Sequence, residues 1–237
     1  MSVQIMDSAV AIPQRHRPLE PLPLFAGDRL ARAEFERRYH TQPGLKKAEL
    51  IEGVVYMPSP VKHKRHGHPH AYLNTWAGHY LVATPGVDIS DNATVRMDNQ
   101  NEPQPDILLR LERVNGGRSF IGPDDYLEGA PELIIEIAAT SASYDLHDKK
   151  RVYARNGVRE YLVALTYEQQ LNWFVLREGE YVELPPSADG ILRSEIFPGL
   201  WLRGDALWQD NLAGLLAVLQ QGLVSVEHAD FVASLKV

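Results

Sequence analysis

The sequence predicts an α/β domain with a helical extension at its C-terminal end. Residues 105–111 (Pro-Asp-Ile-Leu-Leu-Arg-Leu) and 132–139 (Glu-Leu-Ile-Ile-Glu-Ile-Ala-Ala) are continuously apolar runs of strand length. Runs of that kind belong to strands covered on both faces. A polar helical stretch at about 146–156 separates them from a third apolar run, Glu160-Tyr-Leu-Val-Ala-Leu165. Leucines 207, 212, 215, 216 and 219 recur at helical spacing, which predicts one amphipathic helix over 205–221.

The remaining elements follow from local signals. Pro13, Pro18, Pro21 and Pro23 crowd residues 1–27, which read as an extended arm. Asp28 is placed to cap a helix over about 29–40, with Gly44 as its stop. Residues 47–57 read as a hairpin turned at Glu52-Gly53. Taken alone, Glu49 just before that turn is a solvent-facing strand residue. Pro58-Ser59-Pro60 breaks the strand, and Leu73, Trp76, Tyr80 and Leu81 predict a core-entering helix over 71–83. Val87, Ile89, Val95 and Met97 suggest a strand pair at an edge over 86–98. Residues 170–176 and 180–184 continue as a meander turned at Glu178-Gly179, and Ser225 caps a last short helix. The division expected is an arm at 1–27, a domain at 28–203 and an extension at 204–237.

Composition narrows the function. The 237 residues suffice for one substantial domain, and 44% hydrophobic with 23% charged residues is globular composition. Without cysteine, thiolate metal sites and disulfides are excluded. No basic segment precedes an apolar leader, and no apolar run is long enough for a bilayer, so a soluble cytoplasmic protein without membrane partners is expected. A net charge of −7 rules out a globally basic nucleic-acid coat, but a local basic strip can still hold phosphates. Lys62, Lys64 and Arg65 form such a strip among His63, His66, His68 and His70. Pro69 argues against a regular histidine pair for Zn²⁺, so this stretch reads as a phosphate-facing strip or a solvated helix start.

Two carboxylates stand out because of where they lie. Asp106 and Glu136 each sit in an apolar strand, where an ionised group is costly unless paired or bound to metal. Two such strands side by side, with a lysine from the following helix, would form a Mg²⁺ site for phosphodiester chemistry.

Several motifs occur in order: Glu49-Leu-Ile-Glu-Gly53, Met57-Pro-Ser-Pro60 with a following histidine, Pro105-Asp106, Pro131-Glu-Leu-Ile-Ile-Glu136, Lys149-x-x-x-Tyr153 and Gly157-Val-Arg-Glu-Tyr161. In this order, over roughly 28–203, the chain resembles the Uma-type endonuclease family of bacteria, within the PD-(D/E)XK restriction-endonuclease-like superfamily. The resemblance implies a restriction-endonuclease-like core, a mixed sheet flanked by helices, and a metal-dependent phosphodiester hydrolase. Asp106 and Glu136 take the positions of the motif's metal-binding acids, and Glu49 that of the hairpin glutamate. The superfamily's lysine belongs two residues after Glu136, where Ala138 stands. The Uma-type pattern carries a lysine on the next helix, which matches Lys149. Lys150 would point about 100° away on a helix.

The expected function is Mg²⁺- or Mn²⁺-dependent cleavage of nucleic acid, DNA first, by a homodimer. Asp106, Glu136, Lys149 and Glu49 are its candidate catalytic residues, and Lys62, Lys64 and Arg65 its nucleic-acid contacts. Two alternatives share the fold: a catalytically silent nucleic-acid-binding module, favoured by Ala138, and a protein-interaction module using the C-terminal helices.

Overall fold

The computed structural model describes residues 21–236, so residues 1–20 of the expected arm lie outside the described residues. Residues 21–27 are irregular, and Leu24 is buried against Phe35, Leu50 and Val55. Helix α1 spans Arg32–Tyr39, three residues later than Asp28 would start it. The Asp28 carboxylate instead accepts from the Phe25 N–H at 3.1 Å, closing a turn before the helix. A hairpin follows, β1 (Glu49–Ile51) and β2 (Val54–Tyr56). Its turn residues Glu52 and Gly53 have φ of 51° and 73°. Two left-handed residues match the strand twist, which is why glycine stands second.

Helix α2 spans His68–Ala83, and one π-helical turn, His63–Gly67, precedes it. Next come β3 (Val87–Asp91), β4 (Val95–Arg96), β5 (Ile107–Leu111), β6 (Phe120–Ile121), β7 (Leu127–Glu128) and β8 (Leu133–Ala138). The strand pair expected over 86–98 does not form. Asn92 turns left-handed at φ 54°, so β3 pairs with β5 while β4 joins β7 and β6 in a separate small sheet. A helical connection of α3 (Ala142–Tyr144), a π-helical turn at Asp145–Lys149 and α4 (Lys150–Asn156) leads to β9 (Glu160–Leu165). Then follow β10 (Gln170–Arg177), β11 (Glu180–Glu183), β12 (Leu192–Arg193) and β13 (Trp201–Leu202).

The main sheet has the order β11-β10-β9-β8-β5-β3. Only β8 and β9 run parallel, so the sheet is mixed, and the helices at 142–156 supply the crossover that a parallel pair needs. Alternation along β8 divides its side chains. Leu133, Ile135 and Ile137 face a core made with Leu73, Trp76 and Tyr80 of α2. Ile134 and Ala138 face a second core with Ile51, Val152, Tyr153 and Tyr161.

The single helix expected over 205–221 is two, α5 (Gly204–Trp208) and α6 (Leu212–Leu223), followed by α7 (Val226–Ser234). Asp210 adopts φ 54°, and the Asn211 side chain accepts from the Gly214 N–H at 2.8 Å to cap the new helix. Leu215 and Leu219 of α6 enter the α2 core. Among the described residues, no single helix is long and apolar enough to cross a membrane.

One buried carboxylate ties the last strands to the sheet. Glu160 accepts from Trp173 Nε1 at 3.2 Å, Ser194 Oγ at 2.7 Å and the N–H groups of Glu195 and Ile196 at 2.7 and 3.2 Å. Replacing it by alanine leaves buried donors without an acceptor. Glu160→Ala is expected to lower the unfolding free energy by about 3 kcal/mol or more, read by urea denaturation.

Candidate active site

Four carboxylates and one ammonium meet on the face of the sheet that carries Ile134 and Ala138. Glu136 lies on that face of β8, between those two residues. Glu49 comes from β1, Asp106 from the residue just before β5, and Asp145 and Lys149 from the first and last positions of the π-helical turn. All five are buried, none more than 5% exposed. The solvent-facing expectation for Glu49 fails because its hairpin folds over the sheet and turns that side chain inward.

Lys149 is the centre of the cluster. Its Nζ lies 2.9 Å from Glu136 Oε1, 3.0 Å from Glu49 Oε1 and 3.8 Å from Asp145 Oδ1. It reaches Glu136 from the crossover, while Ala138 on the strand is packed into the core. Lys150 goes elsewhere, with its Nζ 3.5 Å from the centre of the Phe174 ring. The π-helical turn places Asp145 and Lys149 on one side of the backbone. Such turns recur at functional sites because they redirect a side chain without ending the helix.

Each acid has further partners. Glu136 Oε1 also accepts from the Tyr153 hydroxyl at 2.8 Å. Glu49 Oε1 accepts from the Gln104 N–H at 2.7 Å, and Asp145 Oδ2 from Ser141 Oγ at 2.6 Å. Asp106 Oδ2 accepts from the Ile137 N–H at 2.8 Å and lies 3.1 Å from His66 Nε2. Burial works against the Asp106 charge, but the imidazole and that N–H hold its carboxyl below the ordinary value. The carboxylate is therefore ionised, and His66 Nε2 is the donor. His70 Nε2 lies 3.1 Å from both the Asp106 carbonyl and Asp91 Oδ1.

Burial pushes Glu136 up to about 8; the carboxylates of Asp106, Asp145 and Glu49 add to this, and Lys149 opposes it. Burial raises Asp145 as well. Burial disfavours the Lys149 charge, but Glu136, Glu49 and Asp145 outweigh it and hold the ammonium well above its ordinary range.

His66, His70 and Asp145 lie outside the set of candidate residues read from the sequence. Pro69 does not hold the two histidines apart, and among the described residues no metal-ligand group forms on them. Pro69 occupies the first turn of α2, where a missing N–H costs no helical bond, and the His66 and His70 rings lie 5.7 Å apart. His66-x-x-x-His70 and Asp145-x-x-x-Lys149 were the available signals, both at i, i+4. Lys62, Lys64 and Arg65 are exposed on the turn that carries His66. Arg65 Nη1 donates to the Thr166 carbonyl at 3.1 Å, and its guanidinium lies over the Tyr167 ring.

The donors fit a hard divalent cation. The carboxylates supply oxygen ligands, and four buried acids lie around one buried ammonium. The buried Tyr144 hydroxyl has no partner among the described residues, and its ring lies 5.4 Å from Lys149 Nζ. A water or phosphate oxygen entering the cluster would satisfy it. Among the described residues, no three His, Asp or Glu side chains already converge as metal ligands; Lys149 stands between Glu49 and Glu136.

A mixed sheet with acids at the ends and middle of its central strands defines a restriction-endonuclease-like fold. The chain belongs to the Uma2 family, described as "Putative restriction endonuclease", which matches residues 32–205. Its fold is similar to the crystal structure of a "putative nuclease belonging to DUF820" from Anabaena variabilis. That likeness has a TM-score of 0.51 at 14% identity, over 68% of this chain and 89% of that one. No curated protein matches the chain.

Two stability measurements test the electrostatics. Lys149→Met leaves Glu49 and Glu136 buried without a counter-charge. It is expected to cost about 3 kcal/mol or more, whereas Lys150→Met costs less than about 1 kcal/mol, both by chemical denaturation. Glu136 has a folded value above its unfolded 4.5, so its contribution is full below 4.5 and lost as pH rises through about 8. Glu136→Gln keeps the acceptor for Lys149 and Tyr153 and removes the titration. Between about pH 5 and about pH 9 the variant is expected to lose less stability than the wild type, by about 4 kcal/mol.

Proposed function

We propose that the protein is a divalent-metal-dependent endonuclease that hydrolyses phosphodiester bonds of nucleic acid, DNA in the first place, with Mg²⁺ or Mn²⁺. One observation carries this reading: buried acids from three separate segments converge on Lys149, beside an exposed basic turn. Family membership supports the reaction class, and the excess of buried carboxylate oxygens supports a hard metal ion.

Asp106 and Glu136 hold the cation in this reading, and Glu49 is a further oxygen ligand. When bound, the ion lowers the pKa of a water and neutralises charge on the scissile phosphate. Lys149 donates to the attacking water or to a phosphate oxygen, where charge develops. His66 fixes the Asp106 carboxylate through Nε2, and Tyr153 does the same for Glu136 through its hydroxyl. Lys62, Lys64 and Arg65 hold the flanking phosphates. A homodimer acting in the cytoplasm completes the proposal, and light scattering reads the assembly.

Plasmid cleavage tests the chemistry. The wild type is expected to nick DNA with Mg²⁺ or Mn²⁺ and not with EDTA. Asp106→Ala, Glu136→Ala and Lys149→Ala are each expected to slow cleavage about 100-fold or more, with Lys150→Ala close to wild type. Asp106→Ala cleaving at the wild-type rate would sink the assignment. DNA binding without cleavage would identify a silent binding module.

A further inference from the structure

The turn before α2 faces two ways. His66 reaches inward to Asp106. His63, Lys64, Arg65 and His68 line a separate cavity of about 390 Å³. That volume lies within the roughly 300–1,000 Å³ of small-ligand sites. The cavity is continued by the β9–β10 turn, through Thr166 and Gln169, and closed by Trp208. Arg65 is anchored there, since its guanidinium is held by the Thr166 carbonyl and lies over Tyr167.

Its chemistry is that of a nucleotide. One side presents exposed Lys64 and Arg65, which suit a phosphate. The other presents the partly buried rings of Tyr72 and Trp208. The Tyr72 hydroxyl is already bonded to the Asp210 carbonyl at 3.1 Å, and the His68 ring packs edge-on against the Tyr72 ring with centroids 4.5 Å apart, so Tyr72 and His68 form one aromatic wall. The single carboxylate of the lining, Asp210, lies 3.7 Å from His68 Nδ1. Aromatic rings beside cations are how proteins hold single-stranded nucleic acid.

The position also matters. The turn that brings His66 to Asp106 is the same turn whose His63, Lys64 and Arg65 line the cavity. Leu207, Trp208 and Asp210 lie beyond residue 205, where the family match ends.

We propose that this cavity seats one nucleotide of the substrate strand next to the scissile phosphate, its base against Trp208 and Tyr72 and its phosphate on Lys64 and Arg65. The proposal rests on the nuclease reading above.

The test uses the full chain in EDTA, with anisotropy of a short fluorescein-labelled single-stranded oligodeoxynucleotide at several salt concentrations. Trp208→Ala is expected to weaken binding about tenfold or more, and Trp208→Phe to stay within about threefold of wild type. Lys64→Ala, an exposed change that leaves the core alone, is expected to weaken binding and lower the salt slope by about one. Lys46→Ala, an exposed lysine away from the cavity, is the control. If the wild type binds and cleaves while Trp208→Ala and Lys64→Ala both bind as it does, the pocket is overturned and the nuclease reading stands. If the wild type neither binds nor cleaves nucleic acid, both are overturned.

Discussion

The ammonium of Lys149 is the interaction on which the site depends. Glu49, Glu136 and Asp145 are all within 4 Å of it, and each is almost wholly removed from water. Buried carboxylates at that spacing repel one another, and in a low-dielectric interior the repulsion is large. Lys149, bonded to Glu136 and Glu49 and close to Asp145, is what makes their approach tolerable. The hairpin, the central strand and the crossover helices are therefore joined by charge as well as by apolar packing. Excess negative charge in a dry site is also the condition under which a small hard cation is attracted.

Two π-helical turns feed this cluster. The turn at 63–67 delivers His66, with the Gly67 N–H bonding back to the Lys62 carbonyl at 3.2 Å. The turn at 145–149 delivers Asp145 and Lys149. In each case one widened turn at the start of a helix lets the rest of that helix pack regularly on the sheet. Regular packing and irregular delivery are thus separated along the chain, which keeps the core intact where the polar side chains converge.

Much of this was legible in the residues. Asp106 and Glu136 stood out because acids within long apolar runs need a local reason, whereas Lys149 came from the family pattern, with helical phase only setting Lys150 aside. Glu49 was legible only through the family motif, because a three-residue strand does not reveal which way a hairpin folds over a sheet. His66 was hidden because its contact with Asp106 depends on how the turn before α2 meets the start of β5, a relation between distant segments. The break at Asp210 escaped because Leu207, Leu212 and Leu215 keep a helical rhythm across it. Only the Asp-Asn pair signalled the left-handed residue and the new cap.

Helix α2 is bonded along its length to the C-terminal third of the chain. Trp76 Nε1 donates to the Trp201 carbonyl at 2.9 Å, the Tyr80 hydroxyl to the Pro198 carbonyl at 2.9 Å, and Thr84 Oγ1 lies 3.0 Å from His228 Nε2. The helix is thus a splint whose outer end is clamped by late-arriving residues and whose inner end carries His66 and the basic turn. The C-terminal segment therefore holds the basic turn in place without lending an acid to the cluster, much as a mount holds a lens it does not touch.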